Sequence, residues 1–152
     1  MGIIFLDPLP RNCSVEDDKK LNVLKRKLYM PNKKKKILLV DDEQDLLKVL
    51  TFRLEGSGYD VVTAVDGQEA LNVALATVPD ILILDVYLPF MNGDEVVKQL
   101  KKDERLKNVP AILISATAVS LGKKAFDCGA NAYFTKPFDP KDLLAKIEKL
   151  LA

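Results

Sequence analysis

Three aspartates, one serine and one lysine stand where their side-chain types can do chemistry together. Asp41 and Asp42 follow the apolar run ILLV (37–40) directly, and Asp85 follows ILIL (81–84). Ser115 closes AILIS (111–115), and Lys136 follows AYFT (132–135). Each group sits where a buried run reaches its end. Clustered carboxylates cannot all stay ionised without compensation, and two compensations are at hand: the Lys136 ammonium and a bound divalent cation. An all-oxygen set with no Cys or His beside it selects a hard ion, and few carboxylates completed by water and phosphate suit Mg²⁺ better than Ca²⁺. Asp41 and Asp42 are therefore read as metal ligands. Asp85, alone after its run, is the candidate nucleophile toward a phosphoryl group, because adjacent cations neutralise charge on the transferring oxygens. Ser115 offers a hydroxyl to a phosphoryl oxygen and Lys136 a point charge.

These roles require separate segments to converge, so the elements matter. ILLV, YDVVTA (59–64), ILIL, AILIS and AYFT alternate with stretches whose apolar residues recur at helical spacing, such as Leu46, Leu47, Leu50 and Leu54, then Val96, Val97 and Leu100. The final stretch repeats the pattern with Leu143, Leu144, Ile147, Leu150 and Leu151. Five strands alternating with five helices read as α/β with a parallel sheet, since strands apolar throughout need helices on both faces. In such a sheet the residues just past the strand ends gather along one edge, where these folds bind ligands. Neighbouring strands lie about 4.8 Å apart, which brings the first and third strand-end carboxylates close if those strands adjoin. Local signals agree: Asp66 with Glu69 forms a capping box, Asp139-Pro140 an N-cap with proline at the first helical position, and Gly129 a helix end.

Composition narrows the rest. The chain has 152 residues, 48% of them hydrophobic, and a formal net charge of +1. That suits one domain with a sizeable core and leaves no overall field for nucleic acid or an anionic membrane. Cys13 and Cys128 are too few for a disulfide framework, and no export or membrane-spanning segment accompanies them, so a cytoplasmic setting is expected. The Met1-Gly2 start lacks the Ser or Thr at position 6 that myristoylation requires. The sequence contains no histidine, which removes His-based catalysis and phosphohistidine chemistry within these residues. Residues 1–35 read as an extension: a possible amphipathic helix at 14–30 carrying Leu21, Leu24 and Leu28, then the linker Lys33 to Lys36.

Taken in order, Asp41-Asp42, Asp85 within DVYLPFMNG (85–93), Ser115-Ala116 and Lys136-Pro137, with Asp41, Asp85, Ser115 and Lys136 at intervals of 44, 30 and 21 residues, resemble the receiver domain of two-component response regulators. The resemblance covers residues 36–152 and implies a flavodoxin-like (βα)5 three-layer sandwich with strand order 2-1-3-4-5. It implies Asp85 as phospho-acceptor, Mg²⁺ on Asp41, Asp42, Asp85 and the backbone carbonyl of Tyr87, and Ser115 and Lys136 as phosphate contacts. Tyr133 matches the family's aromatic switch position, and Lys136-Pro137 a peptide bond usually cis in the family. The implied donor is a histidine kinase or histidine phosphotransfer protein. The implied output is a downstream protein or a second copy bound through the helix 4, strand 5, helix 5 face, with no direct nucleic-acid binding and no membrane insertion. Because the sequence stops after the last helix, output through contacts is expected. Tyr87 and Thr117 match positions that tune phosphate lifetime in the family, and a bulky Tyr87 predicts slow self-hydrolysis.

Competing readings exist for each group. Asp41 and Asp42 also suit capping of the first helix, Ser115 and Lys136 ordinary strand-end and surface positions, and Tyr133 the core. Asp17-Asp18 follows no strand and reads as helix-start charge. Gly56-Ser57-Gly58 leads from a helix into a strand, the wrong end of the sheet for phosphate. The Asn12-Cys13-Ser14 sequon has no meaning without export. The main functional alternative is a Mg²⁺-dependent phosphohydrolase working through an aspartyl phosphate. Such hydrolases usually carry a second aspartate two positions after the nucleophile, where this sequence has Tyr87.

Overall fold

The structure, a computed structural model, describes residues 33–152. The helix expected at 14–30, Asp17-Asp18 and the sequon lie outside the described residues. The chain alternates strand and helix: β1 (Lys36–Val40), α1 (Gln44–Gly56), β2 (Asp60–Ala64), α2 (Gly67–Thr77), β3 (Ile81–Asp85), α3 (Gly93–Leu100), β4 (Ala111–Ser115), α4 (Leu121–Cys128), β5 (Ala132–Thr135) and α5 (Pro140–Leu151). All strand pairings are parallel, in the order β2-β1-β3-β4-β5. This is the flavodoxin-like arrangement.

Strand alternation builds two cores rather than one. Leu38, Val40, Leu82, Leu84 and Leu113 point to one face and pack with α2, α3 and α4 through Leu71, Val96, Val97, Leu100 and Leu121. Ile37, Leu39, Ile81, Ile83, Ile112 and Ile114 point to the other and pack with α1 and α5 through Leu47, Leu50, Leu54, Leu143 and Ile147. Both sides of the central strands are therefore dry, which explains their unbroken apolar sequence. Each Leu or Ile so buried contributes on the order of 1.5–3 kcal/mol. The edge strands β2 and β5 are only partly buried, and their sequences are correspondingly mixed.

The caps follow the sequence with one shift. Asp66 Oδ1 accepts from the Glu69 N–H at 2.7 Å, but the Glu69 carboxylate reaches back to the N–H of Val65, one residue outside the usual box. Asp139 caps α5 ahead of Pro140, and Gly129 ends α4 at φ +82°. At α1 the N-cap is Glu43, which makes no side-chain cap bond; Asp41 Oδ1 instead accepts the Glu43 N–H at 2.9 Å. Capping-like support is thus a secondary duty of Asp41 alone.

Candidate functional site

Register decides what meets at the carboxyl edge. Val40 pairs with Leu84, so the next residues, Asp41 and Asp85, leave adjoining strands at the same level. Ser115 pairs with Thr135, which sets Lys136 one residue above it. Carboxylate oxygens of Asp41, Asp42 and Asp85 lie within 4.8 Å of one another. The Lys136 ammonium is 2.7 Å from Asp41 Oδ2 and 2.7 Å from Asp85 Oδ2, with Glu43 Oε1 further off at 3.8 Å. One cation is shared between two buried carboxylates, and Asp42 stays exposed at the rim. The Lys136 side chain is 14% exposed, against the competing reading of an ordinary surface lysine.

The electrostatics follow from that sharing. Burial raises the Asp85 carboxyl above its ordinary value, and the negative charge of Asp41 adds to the rise; the hydrogen bond and charge of Lys136 only partly oppose it. Burial alone would lower Lys136, yet its hydrogen bonds to Asp41 and Asp85 outweigh burial and lift it to about 12. The ammonium is held charged while the Asp85 carboxylate remains under-compensated. Three converging carboxylate oxygens with no sulfur or nitrogen ligand fit a hard divalent ion, and oxygens spaced within 4.8 Å are close enough to share one.

The loop after β3 holds Asp85 in place. The Tyr87 N–H donates to Asp85 Oδ1 at 3.1 Å, and the Gly93 N–H donates to the Val86 carbonyl at 2.7 Å. Glycine is required where this loop returns: a Cβ on Gly93 would lie 2.1 Å from the Asp85 carbonyl oxygen, and one on Gly67 would lie 2.1 Å from that of Met91. Phe90 takes a left-handed φ of +68° at the loop's outer turn, a conformation unusual for a bulky residue. Ser115 is buried, and its Oγ accepts the Thr117 N–H at 3.2 Å. Lys136-Pro137 is cis.

Tyr133 is not core. The residue is 53% exposed, and its hydroxyl lies over α4, where a Cβ on Gly122 would approach it to 3.3 Å. Val119 and Phe126 are also exposed. Gly56 ends α1 and Gly58 lies between α1 and β2, at the opposite edge from the acidic cluster. Two residues that sequence reasoning passes over also come close: Lys124 on α4 is 3.9 Å from Asp94 Oδ2 on α3 and 5.6 Å from the centre of the Tyr87 ring. Charged residues on helices are too common for any local signal to have marked them.

A five-stranded parallel sheet of this order, with three acids and a lysine at its carboxyl edge, defines the class as flavodoxin-like α/β. The chain belongs to the response regulator receiver domain family, whose sequence profile matches residues 37–148. It is 42% identical over 118 residues to the alkaline phosphatase synthesis transcriptional regulatory protein PhoP of Bacillus subtilis, covering 77% of this chain and 48% of that one. It is 38% identical over 117 residues to the DNA-binding dual master transcriptional regulator RpaA of Synechocystis, covering 76% and 48%. The chain thus spans about half the length of these relatives. Among solved structures, the chemotaxis response regulator CheY4 of Vibrio cholerae superposes with a TM-score of 0.73 at 32% identity, covering 78% of this chain and 100% of that one. The response regulator TrrA of Thermotoga maritima, solved in complex with Mg²⁺-BeF, gives 0.70 at 33% identity, covering 77% and 99%. These relatives are two transcriptional regulators and two response regulators. No helix among the described residues is long and apolar enough to cross a membrane.

Proposed function

We propose that residues 36–152 form a receiver domain that takes a phosphoryl group onto Asp85 from a histidine kinase or histidine phosphotransfer protein. The observation that carries this reading is the shared Lys136 ammonium, 2.7 Å from Asp85 and from Asp41 beside a three-carboxylate cluster. Mg²⁺, held by Asp41, Asp42, Asp85 and the backbone carbonyl of Tyr87, would supply the charge neutralisation that lets an anionic carboxylate meet an anionic phosphoryl group. An oxygen of Asp85 attacks phosphorus, the bond from phosphorus to the donor nitrogen breaks, and the donor imidazole leaves. Lys136 stabilises the equatorial oxygens by charge, and the buried Ser115 hydroxyl donates to one of them. The donor histidine lies outside these 152 residues, which contain none.

Switching follows from the same contacts. As Ser115 turns toward the phosphoryl oxygens, the half-exposed Tyr133 ring moves inward from its place over α4, and the face formed by α4, β5 and α5 changes shape. That face, with Val119 and Phe126 exposed, takes a downstream protein or a second copy. The reading assigns it no direct nucleic-acid contact. Tyr87 restricts water at the acceptor and makes self-hydrolysis slow.

The experiment is intact-mass analysis of the chain treated with acetyl phosphate, with and without Mg²⁺, for wild type and Asp85→Asn. The expected result is one added phosphoryl group per wild-type chain in Mg²⁺ and none on Asp85→Asn. Equal labelling of Asp85→Asn would overturn the assignment of the acceptor. Continuous release of many phosphates per chain would instead favour a phosphohydrolase.

A further inference from the structure

Away from the acidic cluster, one carboxylate among the described residues is buried and incompletely partnered. Asp94, in the first turn of α3, is 9% exposed, and its Oδ1 has no hydrogen-bond partner. Its Oδ2 faces the Lys124 ammonium at 3.9 Å, too far for a direct hydrogen bond but close for a charge contact. The same ammonium stands 5.6 Å from the Tyr87 ring centre, within the range where a cation is drawn to an aromatic face. Lys124 therefore joins three elements: α3 through Asp94, α4 through its own backbone, and the β3–α3 loop through Tyr87.

The loop end of this chain of contacts is the acceptor itself. The Tyr87 N–H donates to Asp85 Oδ1, so the ring that Lys124 holds is carried on the peptide that orients the acceptor carboxylate. Tyr87 is 49% exposed. A half-exposed ring has several rotamers open to it, and a cation on one side selects among them. Asp94 in turn limits where the flexible lysine stem can put that cation.

We propose that Lys124 is a positioning residue for the lifetime of the phosphoryl group on Asp85: Asp94 holds its ammonium, the ammonium holds the Tyr87 ring, and the ring restricts the approach of water. This rests on Asp85 being the acceptor. Loss of the group is attack of a water oxygen on phosphorus and cleavage of the bond between phosphorus and the Asp85 oxygen. Inorganic phosphate departs with the water's hydroxyl, the remaining proton goes to phosphate or solvent, and Asp85 returns as a carboxylate. A ring fixed near the acceptor lowers the frequency of that attack without touching the bond that breaks.

The test uses the full chain, labelled with acetyl phosphate in Mg²⁺, freed of excess reagent, and followed by intact mass as the label decays. Lys124→Ala is expected to shorten the half-life about two- to fivefold, the factor that losing one cation–aromatic contact produces. Tyr87→Ala shortens it at least as much, and the double variant decays no faster than Tyr87→Ala alone. Lys124→Arg, which keeps a cation between Asp94 and the Tyr87 ring, keeps the wild-type half-life. Wild-type decay in Lys124→Ala, even with a lowered urea midpoint, would make the ion pair structural only and overturn the inference, as would multiplicative effects in the double variant. Should the wild type take up no phosphoryl group, the acceptor reading itself falls; normal uptake with unchanged lifetimes removes this inference alone.

Discussion

Lys136→Met isolates the role of the shared cation. Methionine preserves an unbranched stem of similar length, so the main loss is the charge. Without it, Asp41 and Asp85 face each other with oxygens within 4.8 Å, where two unit charges repel by about 3.5 kcal/mol at an effective dielectric of 20 and about 0.9 kcal/mol in bulk water. Both residues are buried, at 3% and 7% exposure, which places the site nearer the first figure. Relief comes from protonation of Asp85, whose carboxyl is already raised, and it caps the penalty. A loss of about 2–3 kcal/mol in metal-free protein is the expected result. The assay is urea unfolding followed by circular dichroism in EDTA at neutral pH, for wild type, Lys136→Met, Asp85→Asn and the double variant. Asp85→Asn should recover most of the loss, because it removes one of the two repelling charges. Mg²⁺ at about a hundred times its dissociation constant should add roughly 2.7 kcal/mol to any variant that still binds it. The reasoning is refuted if Lys136→Met costs under about 0.5 kcal/mol in EDTA, or if Asp85→Asn recovers nothing in its background.

Other perturbations test other parts of the site. Gly93→Ala drives a Cβ to 2.1 Å from the Asp85 carbonyl oxygen, so a loss of about 2–3 kcal/mol in urea unfolding and impaired labelling of Asp85 are expected; Gly56→Ala, with nothing within 4 Å, should be neutral or stabilising. Because the folded Asp85 carboxyl is raised above its unfolded value of about 3.9, the native state binds more protons in that window, and metal-free stability falls as pH rises through it. Urea midpoints measured upward from acid pH should show this fall in wild type and a flatter profile in Asp85→Asn. The Cys128 thiol is buried, and burial followed by the nearby Asp94 charge pushes it up, so in a Cys13→Ser background it should react with a thiol reagent only as the domain unfolds. Fast labelling of the folded protein would contradict that.

Much of the architecture is legible in the sequence because the rule producing it is local. ILLV, ILIL and AILIS are apolar without interruption, which only doubly covered strands require, and they coincide with β1, β3 and β4. Asp66, Asp139 and Gly129 cap helices through bonds to residues a few positions away, so their types alone announce them. Tyr133 shows the limit of such reasoning. Its position in an alternating strand is equally compatible with core and surface, and the space over Gly122, 11 residues earlier in the chain, determines that the ring lies outward.

The sequence by itself determined which groups end the strands and hence which chemistries are open: three carboxylates, a hydroxyl and an ammonium, with no histidine or metal-binding thiol beside them. Only the tertiary structure decided how they share charge. Lys136 is 95 residues from Asp41 and 51 from Asp85 along the chain, and it reaches both equally because parallel register aligns the strand ends. The bridge from Asp94 through Lys124 to Tyr87 likewise exists only after α3 and α4 pack side by side. Electrostatic energy depends on distance through space, and distance along the chain does not supply it.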